Sequence, residues 1–97
     1  MTPLGFKRSL SKSQPPNGLS PALAGLWWAA KDNWHEAHKL VMDEASAECA
    51  WVHAYLHRVE GDLDNAHYWY RRAHRAPASG DLPDEWNAIV AALLEAK

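Results

Sequence analysis

The stretch from Ala50 to Ala76, AWVHAYLHRVEGDLDNAHYWYRRAHRA, constrains the fold more than any other part of the chain. Small and aromatic residues recur in it on a helical period. The break at Glu60-Gly61-Asp62 has Gly where one helix ends and Asp where the next is capped. The stretch therefore reads as a helix hairpin, and the expected class is all-α.

The flanking sequence extends this pattern. Ser20-Pro21 is a helix start, with Ser as N-cap and Pro at a position whose missing N–H costs nothing. A helix from there to about Lys31 places Leu23, Leu26, Trp27 and Ala30 within one face, with Trp28 off it. Gly25 in mid-helix costs about 1 kcal/mol against Ala, which is tolerable where another helix packs closely. Asn33-Trp34-His35-Glu36 forms a capping-box pattern opening a second helix, whose inner face holds Trp34, Ala37, Val41 and Ala45. Neither Gly nor Pro occurs from Trp34 to Glu60, so one long helix is an alternative. A break near Glu44 to Ala47 with Ser46 as cap is favoured, since it gives Trp27, Trp28 and Trp34 an antiparallel partner. After the hairpin turn, Leu63, Ala66, Trp69, Tyr70 and Ala73 form a core face, and Arg71, Arg72 and Arg75 suit the negative end of the helix dipole. A loop spans Ala76 to Gly80. Asp81-Leu82-Pro83-Asp84-Glu85 opens a last helix with a stripe of Trp86, Ile89, Val90 and Leu93, expected to cap the preceding hairpin.

A chain of 97 residues has room for one core. Residues 19–97 are expected to form that single helical domain. Residues 1–18, rich in Ser, Pro, Gly and Lys, are expected to be a flexible tail, with Phe6 and Leu10 as the anchors if it docks. The net charge of -2 includes Lys7, Arg8 and Lys12 without an acid in the first 23 residues, leaving the rest acidic. Duplex nucleic acid is a poor partner for such a chain. No apolar run of signal-peptide length directly follows the N-terminal positive charge, the most apolar stretch, Leu19 to Ala30, is too short to span a bilayer, and the lone Cys49 suits a reducing compartment, so the expectation is a cytoplasmic protein without membrane contact.

Shifting the sequence by 29 residues lays Gly25 on Ala54, Asp32 on Gly61, Asn33 on Asp62, Ala37 on Ala66 and Val41 on Tyr70. Small falls on small, turn on turn and cap on cap, as in two stacked hairpins. In the second copy, Ala54, Gly61, Ala66, Tyr70 and Ala73 resemble the small, turn and aromatic positions of a tetratricopeptide repeat. The period is 29 where that family has 34, Pro77 falls one place early, and His57 stands where Tyr is usual. The string WVHAYLHRVEGDLDNAHYWYRRA is also similar to a small bacterial family of helical proteins, which implies a fold and no activity. The segments read above make about five helices, two stacked antiparallel hairpins and a C-terminal capping helix. The tetratricopeptide resemblance implies a concave surface for a protein partner, lined by Glu48, Trp51, Tyr55 and Arg58.

Six histidines are the chemically suggestive feature. If the second and third helices pack antiparallel about residue 45, His38 lies level with His53 and His35 with His57. These four could form a two-helix site for a divalent metal such as zinc, with Glu36 or Glu48 as a further ligand. The simpler account makes them interhelical histidines bonded to backbone or carboxylates. His67, Tyr68, Arg71, His74 and Arg75 form a basic and aromatic group that could meet an anion or a single strand, or could be a solvated helix end. No nucleophile elbow, phosphate-cradling glycine loop or carboxylate dyad is present, so an enzyme is not expected. Trp28, Trp51 and Tyr68 are hard to bury together, and surplus aromatic surface is material for interfaces. The leading expectation is a helical-repeat module binding a protein partner or a second copy of itself. The alternative is a ligand- or metal-binding domain using the histidines.

Overall fold

The computed structural model describes residues 1–95, and among these there are six α-helices and no strand. They are α1 (Pro3–Ser9), α2 (Pro21–Ala30), α3 (Trp34–Val41), α4 (Ala47–Val59), α5 (Leu63–Arg72) and α6 (Leu82–Glu95). Short turns pair α2 with α3 and α4 with α5, and α4 is the central helix, packing against α2, α3, α5 and α6. Every residue from Cys49 to His57 is buried, which a helix allows only when neighbours surround it.

The caps form where the sequence places them. Ser20 accepts from the Leu23 amide, Asn33 from Glu36, Ser46 from Cys49 and Asp62 from Asn65. Ser46 thus starts α4 afresh, and the single long helix over residues 34–60 does not form. Gly61 adopts φ +83°, the left-handed conformation that ends α4. Asp32, one repeat earlier, takes the same conformation at φ 60° with a non-glycine residue. Gly25 marks a close helix approach: a Cβ there would lie 3.1 Å from Val41 Cγ1 and 3.4 Å from Val52 Cγ1.

Two expectations need correction. Residues 1–18 are not a uniformly flexible tail, because Thr2-Pro3 is a cap and first-turn signal of the same kind as Ser20-Pro21 and opens α1. Phe6 is fully buried, 5.8 Å from the Trp86 ring. Ser9 Oγ donates to Phe6 O and accepts from Trp27 Nε1, while Lys31 Nζ donates to the carbonyls of Leu10 and Lys12. Ala45 lies exposed in the turn before α4, and Leu63 is exposed at the first position of α5. Helix α6 packs on the preceding hairpin, against α4 and, through Glu85 and the Tyr70 hydroxyl, α5, and it also extends beyond that hairpin. It lies across α2 and α4, the first helix of each pair, and also holds α1. Trp86 Nε1 donates to Leu26 O on α2, and Glu85 pairs with Arg58 on α4.

No helix among the described residues is long and apolar enough to cross a membrane.

Candidate metal centre

Helices α3 and α4 bring three imidazoles together. His38 projects from α3, and His53 and His57 sit one turn apart on α4, so both reach the same side of their helix. His38 Nε2 lies 3.0 Å from His53 Nε2. One ring nitrogen from each of His38, His53 and His57 falls within 4.8 Å of the others. Zinc–nitrogen bonds of about 2.0–2.1 Å in a tetrahedral arrangement set ligand nitrogens about 3.3 Å apart. The first pair, at 3.0 Å, is within a few tenths of an ångström of that spacing, and the third ring, within 4.8 Å of the others, needs to close by no more than about 1.5 Å.

The surroundings hold the rings in place. Trp34 stacks on His38 at 4.7 Å, Trp69 stacks on His53 at 3.8 Å, and His53 stacks on His57 at 4.8 Å. Trp34 Nε1 donates to Leu56 O, which fixes the indole against α4. His53 and His57 are buried, whereas His38 is half-buried and forms the side nearest solvent. His57 Nδ1 sits 2.6 Å from Glu60 Oε1, one turn further along α4.

Electrostatics favour neutral rings. Burial, then the neighbouring charges of His38 and His57, push His53 down to about 3. Burial, followed by His57, also lowers His38. Neutral imidazole is the form that binds a metal, so these two rings present lone pairs at neutral pH without first losing a proton. Two neutral rings facing each other through Nε2 can share one hydrogen bond, with a proton on only one of the two nitrogens. The buried His53 Nδ1 has no hydrogen-bond partner among the described residues. A ring so placed is poorly satisfied by protein groups alone.

The other expected site residues fall elsewhere. His35 is exposed, edge-on to Trp34, and does not join the cluster because position 35 points away from α4. Glu36 pairs with Lys39 at 3.2 Å, and Glu48 is exposed at the start of α4. Of the partner-binding set, Trp51 and Tyr55 are buried, at 8% and 7% exposure. The Arg75 guanidinium covers the Trp51 ring at 3.4 Å, and Arg58 binds Glu85 at 2.8 Å and the Gly80 carbonyl. Glu48, Trp51, Tyr55 and Arg58 do not share one depression: Glu48 and Trp51 border one beside Arg75 and Leu93, Arg58 a second beside Tyr70, and Tyr55 a third beside Trp86. Burial raises the Tyr55 hydroxyl to about 12. In the basic and aromatic group, Arg71 and Arg72 lie over the Tyr68 ring and Arg72 donates to its hydroxyl.

Two functional-looking residues escaped the sequence reading. Glu60 appears there only as a turn residue, although its i,i+3 spacing from His57 is the available signal. Glu85 looks like a first-turn acid of α6, yet it is buried, bonded to Arg58 and to the Tyr70 hydroxyl. No family model matches the chain, and neither a curated protein nor a solved structure is significantly similar to it.

Proposed function

We propose that this is a small helical metal-binding domain that holds one divalent transition-metal ion, such as zinc, through His38, His53 and His57. The observation that carries this reading is the convergence of three ring nitrogens from two helices within 4.8 Å. Two of those rings, His38 and His53, are shifted toward the neutral form by burial and then by neighbouring imidazoles, His57 acting on both. Imidazole donors suit zinc, copper, nickel and iron and are poor ligands for magnesium or calcium. The ion would tie α3 to α4, and its binding free energy would add to the stability of the fold.

Thermal melting of protein purified without a histidine tag tests this. An ion bound at a hundred times its dissociation constant stabilises the folded state by about 2.7 kcal/mol. For a domain of this size the melting temperature then rises by on the order of 10 °C. Zinc is expected to produce that rise in the wild-type chain, EDTA to reverse it, and His53→Phe to abolish it. Melting that is indifferent to zinc and chelator rejects the proposal.

A further inference from the structure

We infer that Glu60 is the positioning residue of the metal site, fixing His57 in the one tautomer that can bind the ion. This rests on the three-histidine reading proposed above. A neutral imidazole carries one proton, and the hydrogen bond made by one ring nitrogen decides which nitrogen is free for a metal. His57 Nδ1 lies 2.6 Å from Glu60 Oε1. With a carboxylate at that distance, the proton resides on Nδ1 and is donated to Glu60. The lone pair is then on Nε2, the only nitrogen of His57 left for a ligand bond. Carboxylate, histidine and metal in series is the arrangement that makes an imidazole a better donor.

The geometry separates this role from direct ligation. His57, Glu60 and Asp62 also offer ligand atoms within 4.8 Å of one another. Two atoms bound to one ion are held about 3 Å apart or more by bonds of about 2 Å at tetrahedral angles. The separation of 2.6 Å between Nδ1 and Oε1 is that of a charge-assisted hydrogen bond. Asp62 is engaged otherwise: one carboxylate oxygen accepts from the Asn65 amide as the cap of α5, and the other faces Asn65 Nδ2. Glu60 itself is exposed at the C-cap of α4, so its loss leaves the core intact.

Cobalt(II) titration of the full-length, tag-free chain tests the assignment, because its visible absorption reports both affinity and ligand geometry. The wild-type chain is expected to develop visible bands with one equivalent of cobalt. In Glu60→Ala the affinity falls by about ten- to a hundredfold and the bands shift. Glu60→Gln keeps an oxygen that accepts from Nδ1 and recovers part of the loss. Asp62→Asn, which preserves a capping side chain, binds as the wild type does. Glu60→Ala binding cobalt with unchanged affinity and spectrum overturns the role of Glu60 while leaving the histidine site standing. A loss in Asp62→Asn equal to that in Glu60→Ala places the ion on the acidic side of His57 and overturns it as well. A wild-type chain that binds no cobalt overturns the histidine site, and the role of Glu60 with it.

Discussion

His53 is the residue whose chemistry is most altered by its position. It is buried among His38, His57 and Trp69, with its folded-state affinity for protons displaced down to about 3. Above pH about 6.5 it is neutral in folded and unfolded chains alike, and its contribution to stability is fully present. As the pH falls below that, the unfolded chain takes up a proton that the folded chain resists, so stability is lost progressively toward pH 3. His38, shifted in the same direction by burial and His57, adds to this trend, with Glu60 and Asp43 opposing it. Urea unfolding in the presence of EDTA is expected to show a lower midpoint at pH 5 than at pH 7.5. The difference should shrink in His53→Phe, which keeps the stacking on Trp69 and removes the titrating ring. Equal pH dependence in the two proteins contradicts this account. Part of the site is legible in sequence: spacings of three and four residues, with an antiparallel α3 and α4, bring His38, His53 and His57 together. The exclusion of His35 is not legible, because it depends on the rotation of α3 about its axis, which packing against Gly25 and α4 decides.

The helices themselves are well written in the chain. Ser20, Asn33, Ser46 and Asp62 cap where the local pattern puts them, each accepting from the amide three residues on. The same logic applies at Thr2, which accepts from Gly5, but the surrounding composition outweighs it when residues 1–18 are read as one segment. What decides the outcome there is a non-local contact, Phe6 against Trp86, eighty positions away. Phe6→Ala is expected to destabilise the domain by about 3 kcal/mol or more by removing a fully buried ring. A denaturant midpoint unchanged by that substitution contradicts the docking of α1. Gly25 makes the complementary case. Its contacts with Val41 and Val52 leave no room for a branched side chain, so Gly25→Val is expected to cost about 1–3 kcal/mol despite replacing a glycine in mid-helix. Chemical denaturation checks this too, and a neutral result contradicts the close α2–α3–α4 packing.

At the scale of the whole molecule, α6 determines which surfaces remain. Resemblance to a tetratricopeptide repeat implies a concave face along α2 and α4. In this chain α6 lies there, joined to α2 through Trp86 and Leu26 and to α4 through Glu85 and Arg58. No local pattern in residues 81–95 shows that this helix reaches past the preceding hairpin to α2. Trp86 makes that reach, while the buried Glu85 carboxylate depends on Arg58 of α4 and the Tyr70 hydroxyl of α5. Arg58→Leu strands that carboxylate and is expected to cost about 3–5 kcal/mol at pH 7. The chemically distinctive feature of the molecule is the histidine cluster between α3 and α4. Titration of the tag-free chain with zinc against a competing chelator measures its function most directly. One equivalent is expected to bind to the wild-type chain and to His35→Ala. Binding is expected to be lost in His38→Ala and His53→Phe. Absence of binding by the wild-type chain, or binding that survives both of the latter substitutions, contradicts the account.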